Sequence, residues 1–256
     1  MNDRDRFRLE FYLDRLAAGG GGDAPPGLDE AIAGYGKSAD LRGRIGELIE
    51  GETAGRFYAA VLLSAVDGAR AGAVFGRLKT DQSLLSVQKS VGFGTIEIPA
   101  ALLAADFLEA EDFPGPHFRR AEALAGWQTA VELEKRRAGK VFDENGLPRY
   151  ADAVEARADA EKAAALRRRI ESLKAGGPAE RFYAAAVAQV FDEDESRQIL
   201  ESLLDEPATV AVLGGDLITD FPASQLAAEM LGLKPAGAPE PAGRNPFDRF
   251  LKWLGG

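Results

Sequence analysis

Two stretches of this chain share most of their residues at a nearly constant spacing. Residues 41–61 (LRGRIGELIEGETAGRFYAAV) and 166–186 (LRRRIESLKAGGPAERFYAAA) are identical at 12 of 21 positions, at an offset of 125. Residues 98–108 (IPAALLAADFL) and 221–231 (FPASQLAAEML) are identical at 6 of 11 positions, at an offset of 123. Average residue usage would give about one or two matches in the longer pair by chance. The sequence therefore predicts one structural unit repeated in tandem.

Both copies of the unit are expected to be helical. Alanine, leucine, arginine and glutamate dominate them, and these residues favour helices, whereas strand patterns are nearly absent. We therefore predict an all-α fold of tandem duplicated helical units with a helical hairpin between them. Its parts are an N-terminal amphipathic helix and Gly/Pro linker (1–26), a first unit (27–112), a charged helical insert and turn (113–150), a second unit (151–233), and a Pro/Ala/Gly linker with a short amphipathic segment (234–256).

The pattern predicts five helices in each unit. In the first unit they fall near residues 29–49, 54–66, 69–79, 83–91 and 99–109. In the second unit they fall near residues 151–175, 179–191, 195–204, 208–213 and 222–231. Glycine-containing stretches at residues 91–95 and 214–216 are expected to be turns between helices.

The insert is expected to form a helical hairpin. Residues 118–140 and 150–175 have helical composition, and the stretch between them contains Asn145-Gly146 followed by Pro148, which favours a turn. Trp127, near the centre of the first of these helices, is expected to anchor the insert to a neighbouring element.

Short helices and small residues accompany aspartate turns at Asp67 and Asp192 and the stretch LLDEPATVAV at residues 203–212. This combination resembles HEAT-type repeats, in particular the short HEAT-like repeats of phycobilin lyases, over residues 54–109 and 179–232. The resemblance implies an α-solenoid or a compact helical array whose concave face binds another protein. It does not imply bilin chemistry, since cysteine and additional histidines are missing.

The segment Arg-Phe-Tyr-Ala-Ala occurs in both units. Alanines let neighbouring helices approach closely while an aromatic ring fills the space between them, so we interpret the segment as a packing signature. The alternative is a pocket between the two units, lined by Arg56, Tyr58, Arg181 and Tyr183, in an enzyme or a small-ligand carrier.

Composition excludes several classes of site. The chain has no cysteine, so disulfides, thiolate metal sites and cysteine nucleophiles are impossible, and a reducing cytoplasm is the expected location. His117 is the single histidine, so a multi-histidine metal site is also impossible. The net charge of −10 disfavours nucleic acid as a partner. No stretch approaches the about 20 apolar residues of a membrane span. We predict no metal, no cofactor and no catalytic residue.

Three motifs resemble ligand sites and are interpreted otherwise. Residues 31–38 (AIAGYGKS) nearly fit a phosphate-binding loop, but no buried strand precedes them, and the equivalent stretch of the second unit has no glycine. Residues 143–146 (DENG) lack the ligand spacing of a calcium loop. An acidic patch at residues 192–195, with Glu201, Asp205 and Glu206, is interpreted as a solvated face. Its alternative use is the docking of a basic partner.

The C-terminal segment at residues 247–254 (FDRFLKWL) carries large apolar side chains behind a flexible linker. Three roles are open for this segment: a cap that folds back on the protein, a docking peptide for a partner, or a weak anchor at a membrane surface. The residues that would bind a partner are Phe247, Phe250, Leu251, Trp253 and Leu254.

The leading functional hypothesis is a protein-interaction scaffold, adaptor or assembly factor, so a binding role is favoured over a catalytic one. It rests on the duplication, on the absence of a catalytic constellation and on the tethered apolar ends. The partner would be another protein, and a homo-oligomer is a further possibility. A structural subunit that ties neighbouring copies together is the third hypothesis.

Overall fold

Helices dominate both halves of the protein. The computed structural model describes residues 25–88, 95–109, 115–140, 146–214 and 217–233. The chain divides into two compact units, Met1–Arg119 and Arg120–Gly256. The described residues contain eleven helices and two antiparallel hairpins, so the prediction of a helical protein is confirmed. No helix within these residues is long and apolar enough to cross a membrane.

The first unit is built from four helices, a hairpin and a fifth helix. In chain order these are α1 (Leu28–Gly34), α2 (Ala39–Glu50), α3 (Thr53–Val66), α4 (Gly68–Leu78), β1 (Leu84–Gln88), β2 (Thr95–Pro99) and α5 (Ala100–Glu109). A long helix, α6 (Pro116–Arg137), contains the boundary between the two units.

The second unit repeats this order of elements after α6. Its elements are α7 (Tyr150–Ala156), α8 (Ala160–Lys174), α9 (Pro178–Phe191), α10 (Glu193–Glu201), β3 (Thr209–Gly214), β4 (Leu217–Pro222) and α11 (Ala223–Met230). The two RFYAA segments therefore lie at the same position of the same kind of element, in α3 and α9.

Each unit has its core around the helix that contains RFYAA. All seven residues from Phe57 to Leu63 in α3 are buried, and α3 packs against α1, α2, α4 and α5. In α9 the buried run includes Phe182 to Ala185, and this helix packs against α7, α8, α10, α11 and β3. A helix that is apolar on all sides is stable only when neighbours surround it. Burying one large apolar side chain contributes about 1.5–3 kcal/mol.

Two predicted helices are wrong, because residues 83–91 and 208–213 contribute strands β1 and β3. In β1, Leu85 and Val87 are buried while Ser86 between them is exposed, which is the two-residue period of a strand. β1 pairs with β2 and β3 pairs with β4, both antiparallel. The glycine-containing stretches at residues 91–95 and 214–216 thus connect two strands and not two helices.

The predicted helices at residues 29–49 and 151–175 are each divided into two. In the first of these stretches Ser38 caps a new helix. Its hydroxyl accepts a hydrogen bond from the Leu41 N–H (3.2 Å), and α2 begins at the next residue. Asp159 does the same for α8, accepting from the N–H groups of Glu161 (2.9 Å) and Lys162 (3.1 Å). Side-chain caps of this kind satisfy the free N–H groups of a first helical turn and so begin a new helix.

A single aspartate separates two long helices in each unit. Asp67 lies between α3 and α4, and its carboxylate accepts a hydrogen bond from the Arg70 N–H (3.2 Å). Asp192 lies between α9 and α10 and accepts from the Glu195 N–H (3.2 Å). Each aspartate ends one helix and caps the next, so the corner contains no other residue.

Candidate functional site

The tyrosines of the two RFYAA segments make equivalent hydrogen bonds inside their own units. The Tyr58 hydroxyl donates to the Pro26 carbonyl oxygen (2.9 Å), and the Tyr183 hydroxyl donates to the Pro148 carbonyl oxygen. Both tyrosines are buried, and burial raises the pKa of the Tyr183 hydroxyl above its ordinary value. Each tyrosine therefore joins the centre of its unit to the chain that leads into α1 or α7.

The arginines of these segments bind acidic residues at the entrance to the hairpins. Arg56 Nη2 lies 3.7 Å from Asp81 Oδ2 and donates to Thr53 Oγ1 (3.2 Å). Arg181 Nη1 lies 3.3 Å from Glu206 Oε2. Asp81 and Glu206 are themselves related by the offset of 125. The arginines thus connect the starts of α3 and α9 to the segments before β1 and β3.

The environment of Asp81 favours its ionised form. Burial alone would raise the pKa of the Asp81 carboxyl. Hydrogen bonds from Ser83 and Thr53, together with the charge of Arg56, outweigh that effect and lower the pKa. The Asp81 carboxylate is therefore a stable acceptor at neutral pH, which suits a structural contact.

The four residues of the predicted pocket each have partners within their own unit. In the first unit, Arg56 and Tyr58 bind different groups, and the same is true of Arg181 and Tyr183 in the second. These contacts account for the residue types at all four positions without a ligand. The pocket between the units stays a prediction.

A further ion pair occurs in both units. Arg44 Nη1 lies 2.7 Å from Glu30 Oε1, joining α2 to α1. Arg169 Nη1 lies 3.1 Å from Asp152 Oδ2, joining α8 to α7. Neighbouring helices in each unit are thus connected by the same arrangement of arginine and acid, and only the length of the acidic side chain differs.

The ring contacts of the two cores differ. In the first unit, Phe57 lies edge-on to Phe75 and Phe107, with ring centroids 5.5 Å apart in both cases. The equivalent of Phe75 in the second unit is Leu200, which has no ring. There Phe182 packs against Trp127 of α6, with ring centroids 4.5 Å apart. The prediction that Trp127 anchors the insert to a neighbouring element is confirmed, and the neighbour is α9.

Sequence reasoning missed a buried carboxylate at Asp106 in α5. Asp106 is 4 % exposed, and its Oδ2 accepts a hydrogen bond from the Phe118 N–H (3.1 Å) at the start of α6. Burial, the largest influence, raises the pKa of Asp106, although the Phe118 hydrogen bond and the charge of His117 act in the opposite direction. His117, the single histidine, therefore lies in the first turn of α6, beside an acid that caps this helix.

Gly115 makes the approach of Asp106 to α6 possible. A Cβ atom at residue 115 would lie 2.4 Å from the Asp106 Cγ, which is far inside van der Waals contact. The signal that was available in the sequence is an isolated acid in the apolar stretch at residues 98–108, followed by a Pro-Gly-Pro turn.

Equivalent helices of the two units carry opposite charges. α4 contains two arginines and no acid, whereas α10 contains four acids and one arginine. In the predicted acidic patch, Asp192 and Glu206 are engaged with Arg167 (2.8 Å) and Arg181. The exposed acids are Glu193, Asp194, Glu201 and Asp205.

Two of the predicted sites lie outside the described residues, namely the C-terminal segment at residues 247–254 and most of the DENG stretch. The AIAGYGKS stretch belongs to α1 and the turn after it, with Ser38 as the cap of α2. In the part of the chain that the structure describes, no group of three or more histidine or acidic side chains is placed to hold a metal ion.

Comparison with known proteins gives no relative. No family model, no curated protein and no solved structure matches this chain.

Proposed function

We propose that this protein is an interaction scaffold or adaptor that binds partner proteins through the surfaces of its two helical units. The observation that carries the proposal is the opposite charge of α4 and α10, which occupy the same place in their units. Charge complementarity steers association and selects partners. The two units share one order of elements and the same polar contacts between them, which we call the frame, but their surfaces carry opposite charges. This combination suits a protein that engages two different partners.

The internal use of the repeated residues supports this proposal. Arginine and tyrosine are enriched among the residues that contribute most to protein binding, yet in the RFYAA segments they bind groups of their own unit. The residues shared by the units therefore maintain the frame. Specificity then lies in what differs between the units, and that is mainly exposed charge.

The C-terminal segment is the second contact surface in the proposal. Phe247, Phe250, Leu251 and Leu254 follow the i, i+3, i+4, i+7 spacing with which an amphipathic helix enters an apolar groove, and Trp253 adds a large ring. The proposal also includes tandem duplication as the origin of the units, a HEAT-like stacking of their helices and a cytoplasmic location. The cysteine-free composition supports that location.

The test is affinity capture by the full chain, with proteins quantified by mass spectrometry. The α10 variant replaces three exposed acids of that helix with lysine: Glu193→Lys, Asp194→Lys and Glu201→Lys. The α4 variant replaces two exposed cations at the end of that helix with glutamate: Arg77→Glu and Lys79→Glu. We expect the α10 variant to lose basic partners and the α4 variant to lose acidic partners. Titration calorimetry with one purified partner from each set should reproduce the loss.

The matched control is Gln198→Ala, an exposed and uncharged position on the same helix α10. Circular dichroism must show unchanged helix content in every variant. If both charge variants capture the same proteins as the control in equal amounts, the proposal is wrong.

A further inference from the structure

The two edges of the β3–β4 hairpin differ. In an antiparallel pair, opposite residues alternate between those that bond to each other and those whose N–H and C=O groups point away. Ala211 is opposite Asp220, and the Ala211 N–H donates to Glu134 Oε1 (3.1 Å) and not to β4. The backbone groups of Asp220 therefore point away from the hairpin on its other side. By the same alternation, those of Ile218 do too.

The position of a proline agrees with this assignment. Pro222 is two residues after Asp220 and is thus in the same phase of the strand. Proline has no N–H group, so it is tolerated where that group would point outward from an edge strand. The hydrogen bond from the Ala223 N–H to the Ala208 carbonyl (2.9 Å) places the bonded pairs in the alternate phase.

Glu134 occupies the outward N–H of Ala211 in the middle of the β3 edge, whereas the β4 edge is open. Among the described residues, no side chain or backbone group hydrogen-bonds to the outward N–H of Ile218 or Asp220. Both side chains are exposed, and Ile218 is 39 % exposed despite being apolar. An edge with free backbone groups and an exposed apolar residue is a template for another strand.

We propose that β4 pairs with β4 of a second copy of this chain, antiparallel and across a two-fold axis at Thr219. The two hairpins then form one four-stranded sheet. This inference goes beyond the proposed function, since it concerns contact between copies and not capture of other proteins. It does not depend on the charges of α4 and α10.

The register follows from matching the outward groups. Centring the pair on Thr219 places Ile218 opposite Asp220 of the partner subunit, and both residues have outward backbone groups. Two bonded pairs result, with four interchain hydrogen bonds. Centring it on Asp220 would place two carboxylates directly opposite each other, which is unfavourable. Thr219 would face the partner's Thr219, and threonine pairs stabilise such a contact.

A second copy is the occupant that this edge fits best. Its outward groups are self-complementary, as an isologous two-fold contact requires. Because Glu134 occupies the Ala211 N–H in the middle of the β3 edge, that edge is a poorer template for a further hairpin than the β4 edge. A contact through one six-residue strand of each chain is small beside the about 1,200 Å² of stable complexes. We therefore expect a weak dimer, with a dissociation constant between about 1 µM and about 1 mM.

Sedimentation equilibrium of the full chain tests the dimer, at chain concentrations from about 0.5 µM to about 1.5 mM, which bracket that range. The average mass should rise from 27.3 kDa toward twice that value. Asp220→Pro removes one outward N–H and leaves the β3–β4 bonds, so this variant should stay monomeric. Ala211→Pro removes the corresponding outward N–H of β3 and leaves the outward groups of β4 intact, so this variant should still dimerise. A wild-type chain that stays monomeric, or an Asp220→Pro chain that dimerises like wild type, overturns the proposal.

Charge variants at residue 218 test the register without proline. Ile218→Lys places a cation opposite the partner's Asp220 at two symmetric positions, and Ile218→Asp places an anion there. We expect the dissociation constant to fall about five-fold with lysine and to rise about five-fold with aspartate, and both shifts should shrink in high salt. Equal effects of the two variants would contradict this register.

A single-cysteine chain tests the two-fold axis. The wild-type protein has no cysteine, so Thr219→Cys introduces the sole thiol of each chain. Opposite residues without mutual hydrogen bonds have Cα atoms about 4.5 Å apart, which is within reach of a disulfide. Mild oxidation should link Thr219→Cys chains but not Ser202→Cys chains, where the replaced residue is exposed after α10. Protection of the Ile218 and Asp220 amides from hydrogen exchange in a strictly monomeric sample would identify another segment as occupant and overturn the proposal.

Discussion

The two units of this protein have the same frame, but their cores are packed with different side chains. Both have the tyrosine hydrogen bond to a proline carbonyl, the arginine–acid contact before the hairpin and the aspartate corner between two helices. In the first unit three phenylalanines fill the core beside α3. In the second, Phe182 packs against Trp127 of α6.

Contacts that are present in both units are the ones that specify the fold. The shared contacts are polar and directional. The tyrosine and arginine contacts join elements that are far apart in sequence, and the aspartate corners fix the junction of consecutive helices. The ring packing is exchangeable, because interiors tolerate hydrophobic substitution when total volume is kept. The exposed charges are the least restrained, and they have opposite sign in α4 and α10. Function is therefore expected at the surfaces where the units differ.

The largest expected effect comes from emptying either core. Phe57→Ala and Phe182→Ala should each lower the free energy of unfolding by about 3–5 kcal/mol, because a buried ring is replaced by a cavity. If the units have separate cores, loss of amide protection in native-state hydrogen exchange should be confined to the unit that carries the change. Ser202→Ala, at an exposed position, should leave protection unchanged. Equal loss of protection in both units would show that their cores unfold together and are not separate.

Gly115→Ala should have the next largest effect, and only in the first unit. The added Cβ collides with Asp106, so we expect a loss of about 1–3 kcal/mol from overpacking. Gly76→Ala is the matched control, because nothing lies within 4 Å of a Cβ there and alanine favours a helix over glycine by about 0.5–1 kcal/mol. Thermal unfolding that ranks the two variants in the opposite order would contradict the close approach of Asp106.

The two tyrosine contacts should be energetically similar. Tyr58→Phe and Tyr183→Phe each remove one hydroxyl and leave a proline carbonyl without its partner, at a cost of about 1–3 kcal/mol. Urea denaturation at pH 7 measures both. Tyr35→Phe, whose hydroxyl bonds Asp67 from a less buried site, should cost less and serves as the control. A negligible cost at one of the two buried tyrosines would show that the frame is not shared there.

The smallest effects concern pH, and they have opposite signs at Asp81 and Asp106. The pKa of Asp81 is lowered in the folded protein, so its stabilisation is present above the unfolded pKa and is lost as pH falls through the folded pKa. The pKa of Asp106 is raised, so its contribution is complete below the unfolded pKa and is lost as pH rises through the folded pKa. Relative to wild type, Asp81→Asn should become less stable and Asp106→Asn more stable as pH rises from 3 to 7.

Unfolding by urea at several pH values measures these slopes. Asp205→Asn is the control, since this exposed carboxylate lies in the second unit. Parallel slopes for Asp81→Asn and Asp106→Asn would mean that the two carboxylates do not occupy contrasting environments.

The long helices could be predicted from sequence because they have strong helical periodicity and clear ends. The RFYAA helices α3 and α9 follow glycines at Gly51 and Gly177, and both end at an aspartate. The hairpins were missed because their strands have five or six residues and lie between helix-forming segments. In so short a stretch, a two-residue period is easily taken for part of a helix.

Contacts between distant residues could not be predicted, because their partners carry no local pattern. Glu134 and Ala211 are separated by 77 positions, and nothing near either residue indicates the hydrogen bond. The burial of Asp106 is hard to predict, because a lone acid in an apolar helix is most often exposed. The opposite charges of α4 and α10 can be read from the sequence once the two units are aligned over their full length.

Each aspartate corner contains a single residue, so the connection cannot take up an insertion or a deletion without moving one of its helices. Each added residue rotates a helix by about 100°, so one insertion at Asp67 would turn the apolar stripe of α4 away from the core. A deletion there would remove both the end of α3 and the cap of α4. Changes of length in descendants of this protein should therefore accumulate in other connections. The angle between α3 and α4 should be inherited unchanged, and the same should hold for α9 and α10.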